Sequence, residues 1–128
     1  MDNRTVLVVD DSSVIRLGIS ILLENLEARV LMAHDETSFM SIVVSESYDI
    51  DLVVMDLTLI DGNGYELIQK MREIEKYKDT PVIILTAHGD IENVKMGQML
   101  NIFDLVVKPY DTQDFLRRIT KALKASGK

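Results

Sequence analysis

Ile50-Asp51-Leu52-Val53-Val54-Met55-Asp56 is a near-continuous apolar run closed by an acid. A run of this kind marks a strand buried on both faces, as parallel sheets require, rather than one alternating between core and solvent. Pro81-Val82-Ile83-Ile84-Leu85 repeats the pattern, with Pro at the position where a strand tolerates it. Thr5 to Val9 is too short and too β-branched for a helix. Arg29 to Ala33 and Leu105-Val106-Val107 complete five strands. Helical patterns fill the gaps. Ser12 and Ser13 offer caps for a helix carrying Val14, Ile15, Leu17, Ile19, Leu22, Leu23 and Leu26. Asp35 caps one through Phe39, Met40, Ile42 and Val43. Tyr65, Leu67, Ile68, Met71 and Ile74 mark a third, about Asp90 to Leu100 a fourth, and Phe115, Leu116, Ile119 and Leu123 a fifth. Five βα units in series predict an α/β fold, a parallel sheet between two layers of helices.

The chain of 128 residues has the size of one compact domain with one core, and no repeat or linker divides it. Apolar residues make up 47% but aromatics only 5%, so that core must be aliphatic. With 21 acidic and 14 basic residues the net charge is −7, a field that repels nucleic-acid phosphates and argues against direct DNA binding. The absence of Cys excludes a disulfide framework and a thiolate metal site. No apolar run is long enough to span a membrane and no signal-peptide core follows Met1, so the expectation is a cytoplasmic protein.

Sites in open parallel sheets form beyond the carboxyl ends of the strands. Here the first strand ends in Asp10-Asp11, the third in Asp56, the fourth in Thr86 and the fifth in Lys108. The second ends at Ala33-His34 and supplies no obvious member, which places it at the margin of the sheet. Crowded carboxylates repel one another unless a cation sits among them, and an oxygen donor set suits Mg²⁺. A Thr hydroxyl and a Lys ammonium are natural partners for phosphoryl oxygens, leaving Asp56 as the attacking carboxylate. Each residue has a plainer reading: Asp10 and Asp11 as a helix cap, Asp56 as a turn residue, Thr86 bonded to a carbonyl, Lys108 as a snorkelling surface lysine. Their coincidence at one sheet edge is what favours the chemical reading.

The chain resembles the receiver domain of bacterial two-component response regulators over essentially all of residues 1–128. The matching stretches are Val6-Leu7-Val8-Val9-Asp10-Asp11-Ser12 with Arg16, Leu52-Val53-Val54-Met55-Asp56-Leu57, Asp61-Gly62-Asn63-Gly64-Tyr65-Glu66-Leu67, Pro81-Val82-Ile83-Ile84-Leu85-Thr86-Ala87, and Lys108-Pro109-Tyr110. Each alone is weak, but together, in order and spacing, they are specific. The resemblance implies a flavodoxin-like (βα)₅ sheet with strand order 2-1-3-4-5 and Asp56 as phosphoacceptor. It implies Mg²⁺ or Mn²⁺ held by Asp11, Asp56 and the Thr58 carbonyl, with Asp10 acting through water. Thr86 and Lys108 would hold the phosphoryl group, and the Lys108-Pro109 bond would be cis. The donor would be a histidine kinase or a histidine phosphotransfer protein, with an output domain or downstream protein as reader. Thr58 and His88, each two residues beyond a site member, would adjust the lifetime of the acyl phosphate.

Three positions depart from the family pattern. Ile60 replaces a frequent Pro, Asn101 a usual Gly, and Leu105 stands where an aromatic switch residue is expected. Asn is tolerable at position 101 because it enters the left-handed region readily. Were the last strand to extend back to Phe103, that ring would share a face with Leu105 and take over part of the switch. Tyr110 offers a further exposed aromatic for docking on an output surface made by the helix over 90–100, the last strand and the last helix. Rival readings fare worse. A haloacid-dehalogenase-like phosphohydrolase carries its nucleophile on the first strand as Asp-x-Asp. A flavodoxin-like FMN binder needs a donor-lined phosphate loop where Asp10-Asp11 stand. A degenerate receiver used only for docking would lack some of the five chemical positions, all of which are present.

Overall fold

The structure, a computed structural model, describes residues 4–10, 12–57, 64–87, 95 and 98–125. Asp11, Thr58, Ile60 and His88 lie outside the described residues, as does much of the helix expected over 90–100, of which Lys95, Gln98 and Met99 are described as helical. The elements run β1 (Thr5–Val9), α1 (Ser13–Glu24), β2 (Arg29–Ala33), α2 (Glu36–Val43), β3 (Leu52–Asp56), α3 (Gly64–Arg72), a 3₁₀ turn (Glu75–Tyr77), β4 (Val82–Thr86), β5 (Asp104–Val107) and α4 (Thr112–Ala125).

All strand pairs are parallel and the order is β2-β1-β3-β4-β5, as the resemblance implied, with β2 at one margin. Every residue of β1, β3 and β4 is buried, which is why these three read as unbroken apolar runs. Successive side chains feed two separate cores. Leu7, Val9, Val53, Met55, Val82 and Ile84 pack with Phe39 and Val43 of α2 and Leu67, Ile68 and Met71 of α3. Val6, Val8, Leu52, Val54, Ile83 and Leu85 pack with Ile19 and Leu23 of α1 and Phe115, Ile119 and Leu123 of α4. Among the described residues no helix is long and apolar enough to cross a membrane.

The helix starts follow the expected caps. Ser12 Oγ accepts the Ile15 amide at 3.4 Å, and Asp35 forms a full capping box with Ser38, whose amide reaches Asp35 Oδ1 at 2.8 Å. Some boundaries differ from expectation. β3 begins at Leu52 because Asp51 is engaged beside the strand, its carboxylate accepting the Thr5 amide at 2.9 Å. α3 stops at Arg72, so Ile74 lies beyond it in a turn closed by Ile74 N–H to Met71 C=O. Two non-glycine residues have left-handed backbones, Glu27 and Asn101, each with φ 58°. Asn101 is the position where the sequence foresaw that conformation. Glu27 ends α1 in a Schellman arrangement, with Ala28 N–H on Leu23 C=O and Glu27 N–H on Glu24 C=O.

Candidate functional site

The sheet ladders run one residue past the strands and so carry the polar side chains to a common edge. Asp10 N–H bonds Ala33 C=O at 3.0 Å, Leu57 N–H bonds Leu85 C=O at 3.0 Å, and Lys108 N–H bonds Thr86 C=O at 2.8 Å. Asp10, Asp56 and Thr86 are buried at this edge. The Lys108 ammonium, mostly buried itself, forms an ion pair with Asp56 Oδ2. The Lys108-Pro109 bond is cis, as expected.

Asp10 has an unusual environment. Its Oδ1 accepts the Ser12 amide at 2.8 Å, and its backbone carbonyl accepts Arg16 Nη1 at 2.6 Å. Its Oδ2 is buried and has no hydrogen-bond partner among the described residues. A buried acceptor without a donor is costly unless a proton or a cation supplies what is missing. Burial, followed by the neighbouring Asp56 carboxylate, pushes the Asp10 carboxyl up to about 6, against the opposing pull of the Ser12 amide and the Lys108 ammonium. An orphaned oxygen beside a second carboxylate fits a hard divalent cation such as Mg²⁺.

Of the site residues expected from sequence, the structure brings Asp10, Asp56 and Lys108 together and sets Thr86 at the end of β4, between the strands that lead to Asp56 and Lys108. Asp11, Thr58 and His88 fall outside the described residues. Two expectations need correction. Phe103 does not share a face with Leu105: β5 starts only at Asp104, Phe103 packs against the α1/α4 core, and Leu105 packs against the α2/α3 core. Tyr110 is half-buried rather than exposed, its ring 4.5 Å from that of Phe115 at 47°. Burial first, then the charges of Asp10 and Asp56, raise its phenol above the ordinary range, so the ring belongs to the surroundings of the acidic pair.

Sequence reasoning missed the holding roles of Ser12 and Arg16 on Asp10. The Asp-x-Ser spacing was the available signal, since Asp side chains commonly bond the amide two residues on. It also missed a groove of about 440 Å³ beside the site, lined by Ile15, Leu85, Lys108, Pro109 and Tyr110.

Fold and edge together define an α/β domain with an acidic, lysine-bridged site at the carboxyl end of a doubly wound sheet. The model of the response regulator receiver domain matches residues 6–120, and the chain belongs to this family. It is 29% identical over 127 residues to the phosphate regulon transcriptional regulatory protein PhoB of Pseudomonas aeruginosa, covering 99% of this chain and 55% of that protein. It is 33% identical over 117 residues to the CAI-1 autoinducer sensor kinase/phosphatase CqsS of Vibrio cholerae, covering 91% of this chain and 17% of that protein. A response regulator receiver domain protein from Clostridium thermocellum has the same fold with a TM-score of 0.83 at 30% identity, covering 95% of each chain. The chain spans about half or less of these curated relatives. As a receiver domain it is a phosphoacceptor module, a phosphorylation-dependent signalling switch.

Proposed function

We propose that Asp56 is the phosphoacceptor of this receiver. The observation that carries the reading is the pairing of a fully buried Asp56 carboxylate with the Lys108 ammonium, beside an Asp10 oxygen that has no donor among the described residues. An Asp56 carboxylate oxygen attacks phosphorus, an O–P bond forms, and the donor's P–N or P–O bond breaks with its electron pair leaving on the donor. Lys108 then has a phosphoryl oxygen to hold in place of the carboxylate oxygen, and the Thr86 hydroxyl donates to another. Receiver domains generally use Mg²⁺. In this chain Asp11, Asp56 and the Thr58 carbonyl would hold it, with Asp10 acting through water, and it would neutralise the charge of acceptor and phosphoryl group. Return to the resting state is hydrolysis of the acyl phosphate by water, with Thr58 and His88 adjusting its rate.

The donor is a phosphohistidine protein, either a histidine kinase or a phosphotransfer protein. Val14, Leu17 and Ile21 form an exposed apolar stripe on α1, at spacings that share one helix face, leading toward the groove at Ile15 and Pro109. That stripe is the surface on which a donor helix can bring its histidine to Asp56. The reader is an output domain or a separate protein engaging the side of β5 and α4.

The test is intact mass after incubation with acetyl phosphate and Mg²⁺. The wild-type chain gains one phosphoryl group and Asp56→Asn gains none. Equal labelling of the variant would place the acceptor elsewhere.

A further inference from the structure

Arg72, in the last turn of α3, is half-buried, with the Asp79 carboxylate near enough to act on its charge. Its guanidinium is taken up by backbone carbonyls: Nη1 donates to Tyr77 C=O at 3.0 Å and Thr80 C=O at 2.6 Å, Nε to Leu100 C=O at 3.2 Å and Nη2 to Asn101 C=O at 3.2 Å. Burial pulls its pKa down, so the group is held in place against the cost of desolvating its charge.

The carbonyls come from the two connections that lead into β4 and β5. Tyr77 and Thr80 lie just before Pro81, whose own carbonyl accepts the Val53 amide at 3.1 Å as β4 begins. Leu100 and Asn101 close a helical stretch, and the left-handed backbone of Asn101 turns the chain toward Phe103, whose amide bonds Val82 C=O at 2.9 Å. Arg72 therefore joins the amino ends of the two strands whose carboxyl ends carry Thr86 and Lys108. A lysine could not do this, because a point charge lacks the planar fork that spans both connections.

The geometry points to Arg72 as a positioning residue for the switch: it anchors the entries of β4 and β5 to α3, so that Thr86 and Lys108 respond to a phosphoryl group against a fixed back edge. The switch part of this inference rests on the phosphoacceptor reading above; the anchor part does not.

The test compares wild type, Arg72→Met and Arg72→Lys on the full chain, by amide hydrogen exchange and by NMR with beryllofluoride and Mg²⁺. In Arg72→Met, exchange at Asn101 to Asp104 should rise by about tenfold or more while amides of β1 and β3, which report global opening, stay slow. Arg72→Lys should fall between the two, and it carries the test if the methionine variant does not fold. Beryllofluoride should still shift resonances near Asp56 in the variants, with the response at 102–107 much reduced. Exchange at 101–104 that is unchanged, or that rises only in step with β1 and β3, overturns the anchor. An undiminished response at 102–107 overturns its part in the switch. A wild-type protein that gives no beryllofluoride response defeats the phosphoacceptor reading, and the exchange comparison still decides the anchor.

Discussion

Phe103 and Leu105 stand two residues apart yet pack against opposite faces of the sheet, Phe103 on the core beneath α1 and α4 and Leu105 on the core beneath α2 and α3. Thr86 follows Val82 and Ile84 on the α2/α3 face of β4, so it shares a side with Leu105 and not with Phe103. Any movement of Thr86 toward a phosphoryl group opens space on Leu105's side. Beryllofluoride should therefore produce NMR shifts extending from Asp56 and Thr86 into β5, and Leu105→Ala should shrink that spread more than Phe103→Leu does. The opposite ranking would mean that the signal crosses the sheet.

Asp10 makes a pH prediction with a definite sign. In the metal-free protein its carboxyl is raised from 3.8 to about 6, so the folded state binds this proton more tightly than the unfolded chain. Its contribution favours folding below pH 3.8 and is lost as pH rises to about 6. At neutral pH the buried charge should cost about 3 kcal/mol. Asp10→Asn removes that charge, so chemical denaturation without metal should find the variant more stable than wild type at pH 7, with the gap closing toward pH 4. In excess Mg²⁺ the wild type should gain stability that the variant does not. A gap that is constant with pH would show that Asp10 does not titrate as described.

Glu27 occupies the left-handed position that closes α1, where Gly is preferred because a Cβ strains this conformation. Glu27→Gly relieves that strain, and the offsetting entropy of a freer unfolded chain leaves a net gain of about 0.5–1 kcal/mol. A thermal melt should show a Tm higher by a few degrees with phosphoryl acceptance from acetyl phosphate unchanged. A lowered Tm would mean that the Glu27 side chain contributes more than its backbone costs.

These cases show which features the sequence could disclose. β1, β3 and β4 were legible because a strand buried on both faces leaves a continuous apolar run, and the acidic edge was legible because each run ends in its functional residue. Asp35 and Ser12 announced their helices through local capping chemistry. The face of Phe103 was not legible, because the side-to-side alternation of a strand holds only within it, and Phe103 lies just before β5 begins, after the left-handed turn at Asn101. Tyr110 took its place from Phe115 on a different element. The Arg72 clamp joins carbonyls up to 29 residues away, and backbone acceptors leave no trace in side-chain pattern.

The α1 stripe separates acceptor chemistry from partner recognition. Leu17 is 58% exposed at its centre, with Val14 and Ile21 exposed on either side, so Leu17→Asp should fold with unchanged stability to within about 0.5 kcal/mol. The side chain lies outside the acidic site, and labelling by acetyl phosphate should proceed at the wild-type rate. Transfer from a phosphorylated histidine kinase or phosphotransfer protein that labels the wild type should slow by about tenfold or more, because a charge is then desolvated in an apolar contact. Radiolabel transfer from the phosphohistidine protein, followed over time beside the acetyl phosphate reaction, checks both halves. Equal loss with both donors would place the defect in the acceptor site, and no loss with either would mean that the donor approaches Asp56 from another side.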